Sequence, residues 1–451
     1  GLACAAAAWL LWILLLGQAE RSVFGLVPVL DEVWYLDRAA ALDGLGAPAD
    51  QPHFMSPLYP VLVKLTGAGA GVPEDRVVPA SRLRGLRLMQ IGCWFGTVVL
   101  LRLLAGRLLP ETTPRRGLVV WLPALLFSLY RPAAVYALAV LVELPLVLLL
   151  TLTLWLLVVL PASRRPLLVA AAAGATLGLA GLLRGSALVL VPAAAWWAAV
   201  RTAGRRPVAA VVLFAAAAAV LAPASLHNSR ACGRLAGPTL NGGVNLMIGN
   251  GPQANGFYVA VVDGDWRADP AGTEQLAAES DRDPPDLAEA VGIWLRRAAA
   301  SMSDRPGRTI GLWFKKMWLH LQAWEIDQLT PLAGWTATVP ALRTLAVPWS
   351  LIVVLAAIGA LDLLARRPAP CWSVPLAAAG LLLAVQSLFF VVSRYRLALL
   401  PSLALLAAAG AAALLARRRL AWAAVPLAVL LVVPWGLGGV REYWHAMGLA
   451  N

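Results

Sequence analysis

Long apolar runs separated by short polar segments are the dominant pattern along the chain. The runs are rich in Ala and Leu and do not alternate with a period of two, so they predict helices rather than barrel strands. A helix needs about 20 apolar residues to cross the hydrocarbon core of a membrane. On that basis we predict about eleven transmembrane helices, at residues 3–18, 86–109, 117–130, 135–160, 167–183, 186–200, 208–226, 343–364, 372–392, 397–415 and 420–439.

Two stretches interrupt the apolar pattern, and we expect both on the extracytoplasmic side. Residues 19–85 are predicted to be a first external loop and residues 227–342 a long external loop. The long loop opens with GPTLNGGVNLMIGNGPQANGFY, whose Asn-Gly and Gly-Pro pairs favour tight turns over a candidate site. It continues with two helical patterns, of which RTIGLWFKKMWLHLQAW is typical of an interfacial helix. The fold class is therefore an all-α polytopic membrane protein, with residues 1–451 forming one domain.

Composition and charge agree with a membrane location. Hydrophobic residues make up 60% of the chain and charged residues only 14%, against about 25% in ordinary soluble domains, and the mean hydropathy is +0.74. The net charge of +13 comes largely from arginines in short loops, as in Arg115–Arg116 and Arg164–Arg165. The positive-inside rule places these loops and the N-terminus in the cytoplasm. We expect an integral protein of a bacterial cytoplasmic membrane, with membrane lipids and not nucleic acid around it.

The cysteines and the first apolar run carry less information. The four cysteines are scattered and show no Cys-x-x-Cys or Cys/His spacing, so no metal site is predicted. The run ACAAAAWLLWILLLG lacks a basic leading region and a clear cleavage site. We therefore interpret it as a first transmembrane helix and not as a signal peptide.

Two adjacent acids, Asp31 and Glu32, follow this first helix in the stretch LDEVWYLDRAAAL. If a helix starts here, Asp31 is suited to be its N-cap and Glu32 is favoured in its first turn. Alternatively, helical spacing places Asp31, Tyr35 and Arg38 on one face, which gives an ionisable cluster at the membrane boundary with Arg38 as the partner of the acid. Both interpretations remain open.

Polar groups also occur in the Pro-rich stretch QPHFMSPLYPVLVKL, residues 51–65. The prolines interrupt regular structure, so the stretch is either a loop or a short re-entrant segment. His53, Tyr59 and Lys64 are candidate substrate contacts in it, and the isolated His53 is a poor candidate for a metal ligand.

Isolated charges within the apolar runs are the third kind of candidate. Arg131, Glu143, Arg184, Arg394 and Arg396 would each cost a few kcal/mol if left unpaired in lipid. Each arginine alone is explained by a side chain that reaches back to the interface. Several arginines on the face that holds the acidic pair are also what a phosphate-binding site requires.

Taken in order, these segments resemble the GT-C type integral-membrane glycosyltransferases, the group that includes the protein O-mannosyltransferases and the lipid A aminoarabinose transferase. The resemblance is carried by DEVWYLDRAAAL, SPLYPVLVKL, ELPLVLLL, GLLRGSALVLVP, NGGVNLMIGNGPQANGFY and SRYRLALLPSLALLAAAG. It implies a polyprenyl-phosphate-sugar donor and transfer on the extracytoplasmic side to a glycan, lipid or protein acceptor. It also implies that Asp31 is the general base and that Glu32 positions Asp31, the substrate or a basic partner. Some relatives have Lys where this chain has Ser56, so the phosphate contact of that lysine does not transfer, and Lys64 is a hypothetical substitute for it.

The chemistry of such a transfer agrees with the residues. A hydroxyl attacks the anomeric carbon in a single inverting displacement, a base accepts its proton, and the weakly basic lipid phosphate leaves. Arg184, Arg394 and Arg396 are the candidates for stabilising that phosphate, so no cofactor is required and a divalent metal is an optional source of charge. The alternatives are a lipid or solute transporter or flippase, in which the charges line a translocation path, and an enzyme that transfers whole oligosaccharides as O-antigen ligases do.

Overall fold

The computed structural model describes residues 2–202, 206–262, 268–328, 331–366 and 369–417. These residues form α-helices joined by loops and short 3-10 turns, and they contain no β-strand beyond one isolated bridge. The helices are α1 Leu2–Ala19, α2 Val23–Leu26, α3 Asp31–Ala41, α4 Leu58–Leu65, α5 Ala80–Leu108, α6 Arg116–Val119, α7 Leu122–Ser128, α8 Arg131–Leu138, α9 Glu143–Val159, α10 Pro166–Leu183, α11 Leu190–Arg201, α12 Arg206–Ala231, α13 Gly242–Asn250, α14 Thr273–Ser280, α15 Leu287–Asp304, α16 Pro306–Leu321, α17 Leu332–Thr338, α18 Trp349–Arg366, α19 Ser373–Gln386, α20 Ser393–Arg396 and α21 Leu400–Ala416.

Within these residues, five helices are long and apolar enough to cross a membrane. Two bent pairs, α1 with the segment Val23–Ala41 and Arg116–Ser128 with α8, raise the number to seven if each pair is one span. Three further predicted spans are apolar helices of only 10–17 residues. The prediction of eleven spans is thus not confirmed, and its last span, residues 420–439, lies outside the described residues.

Two predicted spans are broken, and in both the apolar sequence conceals the break. The run 135–160 is divided between α8 and α9, and residues 139–142 between them are not helical. The run 372–392 ends as a helix at Gln386, and its last residues are extended toward the long loop. Side chains and loops from distant parts of the chain satisfy the freed backbone groups, such as Val391 N, which donates to Gly256 O at 2.9 Å. Hydropathy alone does not reveal such partners.

The predicted first external loop is also more helical than its composition indicates. It contains α2, α3 and α4, and α5 begins at Ala80, within the predicted loop. Arg87 on α5 is buried, donates to Leu138 O at 2.9 Å and also bonds to Gly25 O. These bonds hold the loop against the end of α8, so it forms a layer on the helical bundle.

Small residues let the membrane helices approach closely, as is common in membrane bundles. Helix α18 packs along α21 where Gly359 and Gly410 meet. A Cβ added at Gly359 would lie 2.7 Å from Gly410 N and would also strike Leu406 O. Because the obstacles are backbone atoms, the helices would have to separate to admit a side chain.

We predict that Gly359→Ala lowers the free energy of unfolding by about 1–3 kcal/mol, the usual range for overpacking a tight contact. Thermal unfolding in detergent measures the change. Gly380→Ala is the matched control, since a Cβ on Gly380 in α19 meets nothing within 4 Å. Equal melting temperatures for the two variants would contradict the close packing of α18 and α21.

Candidate active site

A cavity of about 560 Å³ lies where several broken elements meet. The start of α3, the segment before α9, the segment after α10, helix α13 and the residues from the end of α19 to α20 all contribute to its wall. Most of the lining is apolar. The polar lining that concerns the chemistry is Asp31, Tyr35, Arg184, Gln386, Arg394 and Tyr395.

Asp31 and Arg394 form an ion pair at the cavity wall. The distance from Asp31 Oδ2 to Arg394 Nη1 is 2.5 Å, and the side chains are 15% and 10% exposed, respectively. The pair joins the start of α3 to α20, which lies 363 residues later in the chain. Arg38, the partner expected from the sequence, is instead two turns further along α3, about 10 Å away by helix rise.

Arg184 and Glu143 form a second ion pair. Arg184 Nη2 lies 2.5 Å from Glu143 Oε1, and the Glu143 side chain is only 1% exposed. Tyr395 contacts both arginines: its ring centroid is 4.5 Å from the guanidinium carbon of Arg184 and 5.3 Å from that of Arg394. The two arginines therefore face the same aromatic ring from the cavity wall.

Each arginine keeps one buried N–H without a hydrogen-bond partner within the described part of the chain. These are Arg184 Nη1 and Arg394 Nε. A buried guanidinium N–H without an acceptor is unfavourable, and guanidinium groups bind anions through planar pairs of N–H donors. The arrangement can bind an anion without disturbing the Arg184–Glu143 pair.

Glu32 is buried beside Asp31 and has a structural function. Its Oε2 accepts from Val29 N at 3.0 Å, and its Oε1 accepts from Val140 N at 2.9 Å. The second bond satisfies the non-helical backbone between α8 and α9. Asp31 does not cap the helix as expected, because the N-cap is Leu30, whose φ of 43° is rare for a residue with a side chain. Glu32 thus holds the strained turn that aims Asp31 at the cavity.

Two predicted substrate contacts lie outside the main cavity, in a small groove of about 30 Å³. Arg38 Nη1 donates to Gln51 Oε1 at 2.8 Å, and its guanidinium stacks over Trp34 at 4.4 Å. His53 N donates to Asn228 Oδ1 at 2.7 Å. Burial, and after it the charges of His227 and Arg38, lowers the pKa of His53 to about 4, so the ring is neutral at neutral pH.

Three other residues that were predicted to contact substrate form packing contacts, hydrogen bonds or ion pairs within the protein. Tyr59 contacts the Tyr35 ring at a centroid distance of 4.8 Å and donates its hydroxyl to Gln90 Oε1 at 3.0 Å. Lys64 bonds to the carbonyl oxygen of Leu42. Arg396 is fully buried and pairs with Glu325 at 3.3 Å. It lies two residues beyond Arg394 in a helical turn, which directs it to a different side of the helix.

The structure adds residues that sequence reasoning missed. The Asn-Gly stretch was expected to form turns, but residues 242–250 are helix α13, and Asn245 on it lines the cavity. Tyr258 and Gln386 also line it. Asn245 and Tyr258 lie in the stretch expected over the candidate site, and Gln386 carried a signal as a polar residue within an apolar run. Within the described ranges, no group of three or more His, Cys, Asp or Glu side chains is placed to hold a metal ion.

No protein-family profile and no curated protein matches the chain. Among solved structures, it is similar to the archaeal oligosaccharyltransferase AglB from Archaeoglobus fulgidus in complex with an inhibitory peptide and a dolichol-phosphate, with a TM-score of 0.46 and 12% identity over 98% of this chain and 55% of that chain. The chain therefore spans about half the length of AglB. It is also similar to ArnT from Cupriavidus metallidurans in the apo state, with a TM-score of 0.36 and 15% identity over 90% of this chain and 78% of that chain.

We predict that Glu32→Gln lowers the free energy of unfolding by about 1–3 kcal/mol. A glutamine has only one acceptor oxygen, so its NH₂ group would face the N–H of Val29 or Val140 and leave that group unpaired. Thermal unfolding in detergent tests this. Glu74→Gln, at an exposed glutamate, is the matched control and should melt as the unaltered protein does.

Proposed function

We propose that this protein is a membrane glycosyltransferase that moves a sugar from a polyprenyl-phosphate donor to an acceptor hydroxyl, with Asp31 as the general base. The observation that carries the proposal is that one cavity brings together Asp31, Arg184 and Arg394, which are far apart in sequence. A carboxylate and two guanidinium groups are the charges that this transfer needs. The apolar remainder of the wall suits a lipid substrate.

The two arginines are suited to bind the donor phosphate. Arg184 is fixed by Glu143, and both guanidinium groups are placed by Tyr395. Held in this way, they lose little freedom when an anion binds, and they stabilise charge that develops on the phosphate as the sugar leaves. The phosphate competes with Asp31 for Arg394, because the same guanidinium serves both.

Release from Arg394 prepares Asp31 for its role as base. In the transfer, the acceptor oxygen forms a bond to the anomeric carbon while the bond from that carbon to the phosphate oxygen breaks. The acceptor proton moves to an Asp31 oxygen, and the electron pair stays on the phosphate. Since the phosphate is a weak base, no acid has to protonate it. One displacement inverts the configuration of the anomeric carbon.

We predict that Asp31→Asn lowers the rate of transfer by about 100- to 10,000-fold, the usual contribution of a general base, while donor binding is retained or tightened because a carboxylate no longer competes for Arg394. The measurement is transfer of labelled sugar from polyprenyl-phosphate hexoses and pentoses to membrane acceptors. Near-normal turnover in the variant would overturn the assignment of Asp31. If the unaltered protein moves the labelled lipid across a vesicle membrane and forms no glycoside, the transporter alternative replaces the proposal.

Arg394→Ala should weaken binding of polyprenyl phosphate by about 10- to 100-fold, as expected for loss of a hydrogen bond to a charged group. Binding to the purified protein in nanodiscs measures this. Arg131→Ala is the matched control, since Arg131 donates to Leu342 O and does not line the cavity. An unchanged affinity in Arg394→Ala would remove Arg394 from the phosphate site.

A further inference from the structure

Gln386, the last residue of α19, lies at the cavity wall and carries an unpaired amide. Its side chain is 2% exposed, and it lines the same wall as Asp31 and Arg394. Neither Oε1 nor Nε2 has a hydrogen-bond partner among the residues that the structure describes. Buried side-chain amides in proteins are usually paired, and an unpaired one is unfavourable. Both amide atoms are shielded in this structure, so a rotation of the Gln386 side chain at the cavity wall would offer these bonds to a ligand.

The chemistry of the amide restricts what it can bind. Its NH₂ group donates and its oxygen accepts, so a partner that both donates and accepts satisfies it. A hydroxyl does so. The phosphodiester anion of the donor only accepts and an isoprenoid chain does neither, so neither part of the lipid satisfies both atoms of Gln386.

Aromatic rings continue the wall from Gln386 toward the arginines. The ring centroids of Tyr258 and Phe390 are 5.2 Å apart, and those of Phe390 and Tyr395 are 5.6 Å apart. All three residues line the cavity, and Tyr395 contacts both Arg184 and Arg394. A ligand with an anionic end and a hydroxyl-bearing ring therefore finds complementary groups along this wall.

We propose that Gln386 recognises the sugar of the donor: its amide exchanges hydrogen bonds with one sugar hydroxyl and selects donors that carry it. This assignment rests on the proposed function, and it makes Gln386 a specificity-determining residue that takes no part in bond breaking. A site that hydrogen-bonds a hydroxyl discriminates against the analogue that lacks it, because the protein group is then left unpaired.

The experiment compares binding of three lipids to the purified protein in nanodiscs: polyprenyl phosphate, polyprenyl-phosphate-mannose and polyprenyl-phosphate-arabinose. The unaltered protein should bind at least one glycosylated lipid about tenfold more tightly than the bare phosphate, the equivalent of one good hydrogen bond. Gln386→Leu should abolish that preference and leave the affinity for the bare phosphate unchanged.

Gln322→Leu is the matched control. Gln322 is also 2% exposed and has both amide atoms without a hydrogen-bond partner within the described ranges, but it does not line the cavity. Its replacement should keep the preference for the glycosylated lipid. Loss of the preference in both variants would show a general effect of packing and would overturn the assignment of Gln386.

The outcomes separate this inference from the proposed function. If the unaltered protein binds none of the three lipids, the proposed function fails. If it binds polyprenyl phosphate but prefers neither sugar, or if Gln386→Leu retains the preference, only the assignment of Gln386 fails. Should Gln386→Leu not fold, monodeoxy analogues of the preferred sugar are tested on the unaltered protein. At least one should bind about tenfold more weakly, and equal affinity for all of them would overturn the assignment.

Discussion

The ion pair between Asp31 and Arg394 connects the first cavity-lining helix to the last described part of the cavity wall. Both charges lie in largely apolar surroundings, where each would be strongly unfavourable alone. Each therefore fixes the position of the other, and the cavity keeps its shape because α3 and α20 cannot separate without exposing an unpaired charge. The same bond places an acid and a guanidinium together at the cavity wall.

Buried polar side chains likewise form hydrogen bonds with the non-helical backbone of the surrounding bundle. The non-helical segment between α8 and α9 would leave peptide groups unpaired in an apolar interior. Val140 N is satisfied by Glu32, and the carbonyl groups of Ala137 and Ala139 are satisfied by Gln90 Nε2 at 3.1 and 2.7 Å. Polar residues that are unfavourable in an apolar segment thus stabilise the non-helical segment that lines the cavity.

The all-helical class and most helix positions could be predicted, because long Ala- and Leu-rich runs leave few alternatives. The breaks at residues 139–142 and 387–392 could not be predicted. Their residues are apolar, and the hydrogen-bond partners of their backbone lie far away in sequence. For the same reason, the sequence placed Asp31 and Arg394 among the candidates but paired Asp31 with Arg38. Local spacing relates residues on one helix, whereas this pair depends on the tertiary fold. Glu32 and Arg396 were candidate site residues because of their charge. Both are buried, and their hydrogen bonds and ion pairs stabilise the fold.

In the proposed mechanism, competition for Arg394 would link donor binding to the availability of Asp31 as the base. While Arg394 is bonded to Asp31, the guanidinium occupies Asp31 Oδ2, so that oxygen is not free to take the proton of an acceptor hydroxyl. A phosphate between Arg184 and Arg394 supplies new acceptors to the guanidinium and weakens its bond to Asp31. Glu143 keeps Arg184 in place during this exchange, so only Arg394 changes its hydrogen-bond partner. The acceptor hydroxyl would then meet an available base only when a donor is bound.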